Sequence, residues 1–293
     1  MKKVVVTGGS GRVGQYVVKQ LMKTMHVIVA DVVPPKELEV EFIQTNVMDL
    51  DQLRYACKGA DVVVHLAAID FDWKAAPEKY IDVNVRGTWH VLQASQELGI
   101  KKVVLCSSVS ASGLSEMRTD WTPEFLPVDE SHQNKPVQAY SVSKILMEQM
   151  AKSFADGNPD MDVICLRPLA VVLNETLDEY IEFIDAPDCH WLFYYVTAED
   201  VATAFEAAVN IEGLHYEVFF LSADDTSHPE PTLTWYENKI GTLPLIKNPK
   251  LYQINPHASI FSSHRAKEIL GWKPSSNFKE LREKNRQQKL NIA

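Results

Sequence analysis

Val4-Val5-Val6-Thr7-Gly8-Gly9-Ser10-Gly11-Arg12-Val13-Gly14 is the stretch whose reading decides the fold. A β-branched run gives way to closely spaced glycines, then to a helical pattern carried by Val17, Val18, Leu21 and Met22. The order is strand, tight turn, helix. The glycines have separate duties. One permits the turn, one lets backbone approach a pyrophosphate, and one lets the helix pack on the strand. Backbone N–H groups and the positive end of the helix dipole then face an anion.

Gly9, Gly11 and Gly14 fit G-x-G-x-x-G, while Gly8, Gly11 and Gly14 fit T-G-x-x-G-x-x-G. Either register predicts dinucleotide binding. The next apolar run, His26-Val27-Ile28-Val29-Ala30-Asp31, ends in a carboxylate about 20 residues on, where adenosine ribose hydroxyls are met. A carboxylate there repels a 2′-phosphate, so NAD is expected rather than NADP; Arg12 is the nearby cation that argues the other way.

Further along, Glu41 to Val47 reads as a third strand. Asp49 opens a short helix through Leu53 and Cys57, either as its cap alone or with its neighbouring backbone also on adenine. Asp61 to Ala68 is a near-continuous apolar strand of the kind buried on both faces of a parallel sheet. Its small Ala67-Ala68 end leaves room beside a cofactor, and His65 reads as a satisfied core histidine. A long amphipathic helix is expected from about Pro77 to Leu98, with Asn84 in its middle, followed by the strand Lys102 to Ser108. Alternating strands and helices predict a doubly wound parallel sheet with right-handed crossovers and ligands at the carboxyl ends of its strands. Gly8, Asp31, Ala67 and Ser108 all fall at those ends.

Residues 113–139 break the periodicity and read as a long loop on the same rim. Tyr140-Ser141-Val142-Ser143-Lys144 then opens a helix, and its Tyr140 and Lys144 project from one face. A free phenol, with a pKa near ~10, is a poor base at neutral pH. An adjacent ammonium favours the phenolate, and lowering the pKa by roughly three units takes about 4 kcal/mol. Tyr140 would accept the proton of a substrate hydroxyl as hydride leaves the same carbon, with Ser108 orienting the reacting oxygen. Tyr-x-x-x-Lys alone is common; its joint occurrence with the glycine turn, the acidic strand end and Ser108 is what carries weight.

These segments resemble the extended short-chain dehydrogenase/reductase family, the NAD-dependent epimerases and dehydratases. The matching residues are Thr7 to Gly14, Asp31, Asp49, His65-Leu66-Ala67-Ala68, Asn84, Ser107-Ser108, Tyr140 to Lys144 and Leu166-Arg167-Pro168, with weaker echoes at 196–202 and 270–274. The resemblance implies Ser108, Tyr140 and Lys144 as the catalytic set, with Lys144 also holding the nicotinamide ribose. It implies a cofactor site drawn from Gly8, Gly11, Arg12, Val13, Asp31, Asp49, Leu66, Ala67, Ala68, Asn84, Tyr140, Lys144 and Pro168. A homodimer through the helices around 77–98 and 140–155 is implied as well. The fold class it implies is α/β, a Rossmann-type sheet over 1–170 with a strand and helix returning at about 196–222, and a smaller substrate-binding portion over 171–293.

Two departures bear on the reaction. Val109-Ser110 follow Ser108 where dehydratases carry an acidic pair, so elimination is disfavoured. Val172-Leu173-Asn174 replace the usual Tyr-Gly-Pro. Substrate contacts are expected from Ser110, Asn174 and Arg265, although Arg265, like Ser263 and His264, also reads as a helix-start surface residue, and Arg167 reads as structural.

The chain has 293 residues, 46% hydrophobic and 23% charged, enough for one large α/β domain or two smaller ones. A net charge of -10 disfavours nucleic acid and anionic membrane as partners. No apolar run approaches the ~20 residues of a membrane span, and no signal peptide is read at the start. The four cysteines are far apart, which predicts neither disulfide nor metal site and suits a reducing cytoplasm. The expected function is an NAD-dependent oxidoreductase acting on a sugar-like secondary alcohol, a free sugar or sugar acid before a nucleotide sugar. An epimerase that retains its NAD and a non-catalytic NAD(P)-binding regulator are the alternatives.

Overall fold

A computed structural model describes residues 1–71, 75–187, 189 and 191–292. Seven strands form the central sheet: β1 (Lys3–Thr7), β2 (His26–Asp31), β3 (Glu41–Gln44), β4 (Val62–His65), β5 (Lys102–Cys106), β6 (Asp162–Pro168) and β7 (Tyr216–Leu221). Their spatial order is β7-β6-β5-β4-β1-β2-β3, and every pairing is parallel. The strand order reverses between β1 and β4, so the ligand crevice belongs above that junction.

Alternation within β1 sends Val4 and Val6 to one face and Val5 to the other, and all three are fully buried. On the first face they join α1 (Arg12–Leu21) and α7 (Ala198–Asn210), through Val17, Val18, Leu21, Ala204 and Phe205. On the second they meet α2 (Leu50–Cys57), α4 (Gly87–Glu97) and α5 (Ala139–Gly157), through Leu53, Val91, Leu92 and Met147. Two hydrophobic layers thus clamp the sheet and fix its carboxyl edge.

The third strand stops at Gln44 rather than Val47, because Asn46 turns the chain by accepting the Met48 N–H at 3.0 Å. The long helix is continuous from α3 (Pro77–Tyr80) into α4, but Ile81–Arg86 between them widen into a π-turn around Asn84. Single π-turns of this kind gather at functional sites.

The expected rim loop is more ordered than its composition suggests. Trp121, Phe125, Leu126 and Val128 are buried anchors. Phe125–Leu126 pair with Leu245–Ile246, and Val128 bridges to Phe261. Past the sheet, α6 (Leu177–Asp185), α8 (Thr232–Lys239), α9 (Pro249–Ile254), α10 (His264–Ile269) and α11 (Phe278–Ile292) surround an aromatic cluster in which Phe193 stacks edge-on against Trp235 at 5.0 Å.

Candidate active site

The glycine turn joins β1 to α1. Gly8 adopts φ +74°, and a Cβ there would lie 2.3 Å from the Ala67 backbone nitrogen, so only glycine lets the chain leaving β4 pass this closely. A Cβ on Gly14 would lie 2.2 Å from the Gly8 carbonyl oxygen, which explains how α1 seats on the turn. Gly11 occupies the N-cap position of α1 without a side-chain cap, leaving first-turn N–H groups for an anionic ligand. A dinucleotide diphosphate fits this cradle.

Asp31 ends β2 beside the turn. Its carboxylate accepts the Ser10 N–H at 3.0 Å and the Val32 N–H at 2.7 Å, which fixes it beside the glycine turn. Asp49 caps α2, accepting the Asp51 and Gln52 N–H groups at 3.0 and 3.1 Å. With the side chain so used, the reading as a cap is met, and any adenine contact falls to the backbone. Arg12 pairs with Asp70 at 2.9 Å across the crevice, between α1 and the chain following β4.

His65 is a core residue, as its apolar setting predicts. The Thr7 hydroxyl donates to Nδ1 at 2.7 Å, and Nε2 donates to the Thr88 hydroxyl at 3.0 Å, which itself donates to the Asn84 carbonyl. Burial pushes the imidazole down to about 3, so it is neutral here. Asn84, fully buried in the π-turn, receives the Ile69 N–H at 2.7 Å and donates to the Ile69 carbonyl and the Ser143 hydroxyl. Its side chain ties the β4 exit to α5, and Leu66, Ala67 and Ala68, all partly exposed, form the chain between β4 and Ile69.

Ser108 follows β5 and caps a short 3-10 turn, Val109–Ser112, by accepting the Ser110 N–H at 3.1 Å. That bond leaves its hydroxyl hydrogen to donate. Ser110, two residues on, is buried and accepts from the Ser115 hydroxyl at 2.8 Å. α5 packs against this turn and carries Tyr140 and Lys144. The Lys144 ammonium is buried, donates to the Cys106 carbonyl at 2.8 Å, and lies 5.6 Å from the centre of the Tyr140 ring. Burial lowers its pKa, and the charges of Asp70 and Glu148 oppose that shift. The half-buried Tyr140 ring rests edge-on against Tyr80 at 5.9 Å and at a 46° tilt against Phe71 at 6.2 Å.

The strand ends and α5 bring Gly8, Gly11, Arg12, Val13, Asp31, Ala67, Ser108, Tyr140, Lys144 and Pro168 to the carboxyl edge of the sheet. Asn174 follows the short pair Val171–Val172 and donates to Glu199 at 2.6 Å. Arg265 lies elsewhere. It pairs with Glu217, the second residue of β7, and covers the Phe219 ring at 5.9 Å, which fits the surface helix-start reading. Arg167 forms a buried ion pair with Glu148, as its structural reading requires.

Two buried acids go unread in the sequence. Glu148 continues the i, i+4 spacing of Tyr140 and Lys144 by one turn, a signal that was available. Glu116 lies in the irregular segment, and nothing local marks it. Its side chain is 1% exposed and accepts the Val137 and Gln138 N–H groups, both at 2.9 Å, where α5 begins.

The model of the NAD dependent epimerase/dehydratase family matches residues 4–181. The L-arabinose 1-dehydrogenase (NAD(P)(+)) of Haloferax volcanii is 30% identical over 175 residues, covering 57% of this chain and 66% of that one. The UDP-glucose 4-epimerase of Streptococcus mutans is 24% identical over 312 aligned positions, covering 92% and 91%. In fold, a short-chain dehydrogenase/reductase superfamily protein from Agrobacterium tumefaciens, solved with bound NAD, superposes with a TM-score of 0.73 at 20% identity, covering 98% of each chain. The matches span about half the length of several other curated relatives, 51% to 54%.

Proposed function

The chain belongs to the NAD-dependent epimerase/dehydratase family, and from that premise we propose that it is an NAD-dependent dehydrogenase of a sugar-like secondary alcohol, a free sugar or sugar acid. The observation that carries the reading is the Lys144 ammonium, buried and 5.6 Å from the Tyr140 ring, at the same carboxyl edge of the sheet as the glycine turn. NAD supplies the hydride acceptor. Tyr140 takes the hydroxyl proton, Lys144 favours its phenolate and holds the nicotinamide ribose, and Ser108 donates to the reacting oxygen. The first turn of α1 receives the diphosphate, and Asp31 the adenosine ribose. No carboxylate follows Ser108 at Val109-Ser110, which argues against elimination chemistry.

The smaller portion after Pro168, with Asn174 and the aromatic residues around Trp191, would cover the substrate, and Ser110 would line its inner side. The small-sugar preference draws support from the arabinose dehydrogenase likeness. The near full-length likeness to an epimerase supports a second reading, in which NAD stays bound and the hydride returns to the opposite face. Mixing the protein with NAD and a panel of L-arabinose, glucuronate and UDP-glucose, while following NADH absorbance, separates the two. Steady NADH release with a free sugar supports the dehydrogenase. Stoichiometric NAD carried through purification, with no released NADH, refutes it.

A homodimer is part of the same proposal. Ile81, Trp89 and Leu146 expose apolar surface on the helical run 77–97 and α5, and light scattering would report a monomer if this is wrong. The four cysteines are free thiols, which supports a cytoplasmic location. No described helix is long and apolar enough to cross a membrane.

A further inference from the structure

Glu148 is 2% exposed, and its carboxylate is used on three sides. One oxygen accepts the Ser107 hydroxyl at 2.5 Å and the Arg167 Nε–H at 2.7 Å. The other accepts a terminal Arg167 N–H at 2.6 Å. Its backbone carbonyl accepts the Tyr216 hydroxyl at 3.2 Å. Ser107 is the residue before Ser108, Arg167 lies near the end of β6 with its guanidinium 5.1 Å from the Phe220 ring, and Glu148 sits one turn beyond Lys144 on α5.

We propose that Glu148 is a positioning residue of the catalytic site, whose carboxylate locks α5, with Tyr140 and Lys144, to the Ser107–Ser108 end of β5 and the Arg167 end of β6. This rests on the reading of Ser108, Tyr140 and Lys144 as the catalytic set. Replacing a buried ion pair with apolar residues of similar volume is often neutral or stabilising, so its worth lies in specifying one geometry. Here the geometry specified is the registration of the strand end that carries Ser108 against the helix that carries Tyr140 and Lys144, so that Ser108 and Tyr140 meet one substrate oxygen. A misplacement of about 1 Å at such a site lowers turnover by about a hundredfold. The carboxylates that act on Lys144 are Asp70, from the segment after β4, and Glu148 itself; the other titratable groups near it, His65 from β4, Cys106 from β5 and Cys165 from β6, are kept neutral by burial.

The test pairs Glu148→Leu with Arg167→Met, which removes the lock without stranding either charge and leaves net charge unchanged. The readout is the ionisation of Tyr140 in the NAD complex, taken as the tyrosinate absorbance of each protein minus that of its Tyr140→Phe counterpart, alongside the thermal midpoint and the NAD dissociation constant. The expected result is a wild-type midpoint and NAD affinity within about threefold, with Tyr140 ionisation displaced upward by about half a pH unit or more as Lys144 loses its registration. Ser107→Ala, which cuts one arm and keeps the ion pair, should displace it upward by less. If the double variant folds and keeps the wild-type Tyr140 ionisation, whether or not its midpoint falls, the lock does not position Tyr140 and the proposal falls. If it does not fold, Ser107→Ala decides, and an unmoved ionisation overturns the proposal. If Tyr140→Phe removes no tyrosinate signal below the ordinary phenol range even in the otherwise wild-type protein, the catalytic reading itself falls and takes this one with it.

Discussion

Cofactor choice follows from Asp31 and is testable through Asp31→Asn. The carboxylate is held at the end of β2 by the N–H groups of Ser10 and Val32, beside the glycine turn, where the proposed reading puts the adenosine ribose. A 2′-phosphate placed ~5 Å away would carry nearly two negative charges. Between an effective dielectric of ~20 and that of water, the repulsion is about 2 to 6 kcal/mol, with salt screening pulling it to the lower end. The native protein should therefore bind NADP at least about 30-fold more weakly than NAD. Asparagine keeps one acceptor for Ser10 but loses the charge, which removes the repulsion and turns a charge-assisted ribose bond, worth ~1.5–3 kcal/mol, into a neutral one of ~1 kcal/mol. NAD binding should weaken by about fivefold and NADP binding should strengthen by about tenfold, read by calorimetric titration at low salt with both nucleotides. An NAD-to-NADP ratio that does not narrow would refute the reasoning.

Glu116→Ala removes the acceptor of the Val137 and Gln138 N–H groups at the start of α5 and should cost about 0.5–2 kcal/mol in urea unfolding. The His65 ring sits at about 3 when folded and near 6.5 when unfolded, so the unfolded chain binds the extra proton between those values. Stability is then fully present above about 6.5 and falls as pH drops below it, by up to ~1.4 kcal/mol per unit from this one group. His65→Asn lowers stability overall but should flatten that slope, as measured by denaturant midpoints from about pH 7.5 to about 4.5.

The sheet was legible because its signals are local. Val4 to Val6 are apolar on both faces, Gly8 and Gly14 have backbone reasons no other residue meets, and Tyr140 and Lys144 are four residues apart on one helix. What was not legible depends on distant partners. Glu116 gains its meaning from Gln138, and Trp121 and Phe125 lie in a segment with no period but are buried by tertiary contacts that include pairing with Leu245–Ile246. The π-turn at Asn84 leaves no mark in the sequence, because its one buried residue is polar and gains its meaning from Ile69 and Ser143, which lie far along the chain. Arg265 illustrates the opposite limit. A cation near a helix start suits an anionic ligand or a neighbouring acid equally, and only the fold shows Glu217 beside it.

The central claim is geometric, and a crystal structure of the protein with NAD tests it directly. The account predicts the diphosphate on the first turn of α1, the adenosine ribose on Asp31, and the nicotinamide ring beside the Tyr140 hydroxyl with its ribose on Lys144. A nicotinamide directed away from Tyr140, or a dinucleotide bound anywhere but the β1–β4 crevice, would contradict it.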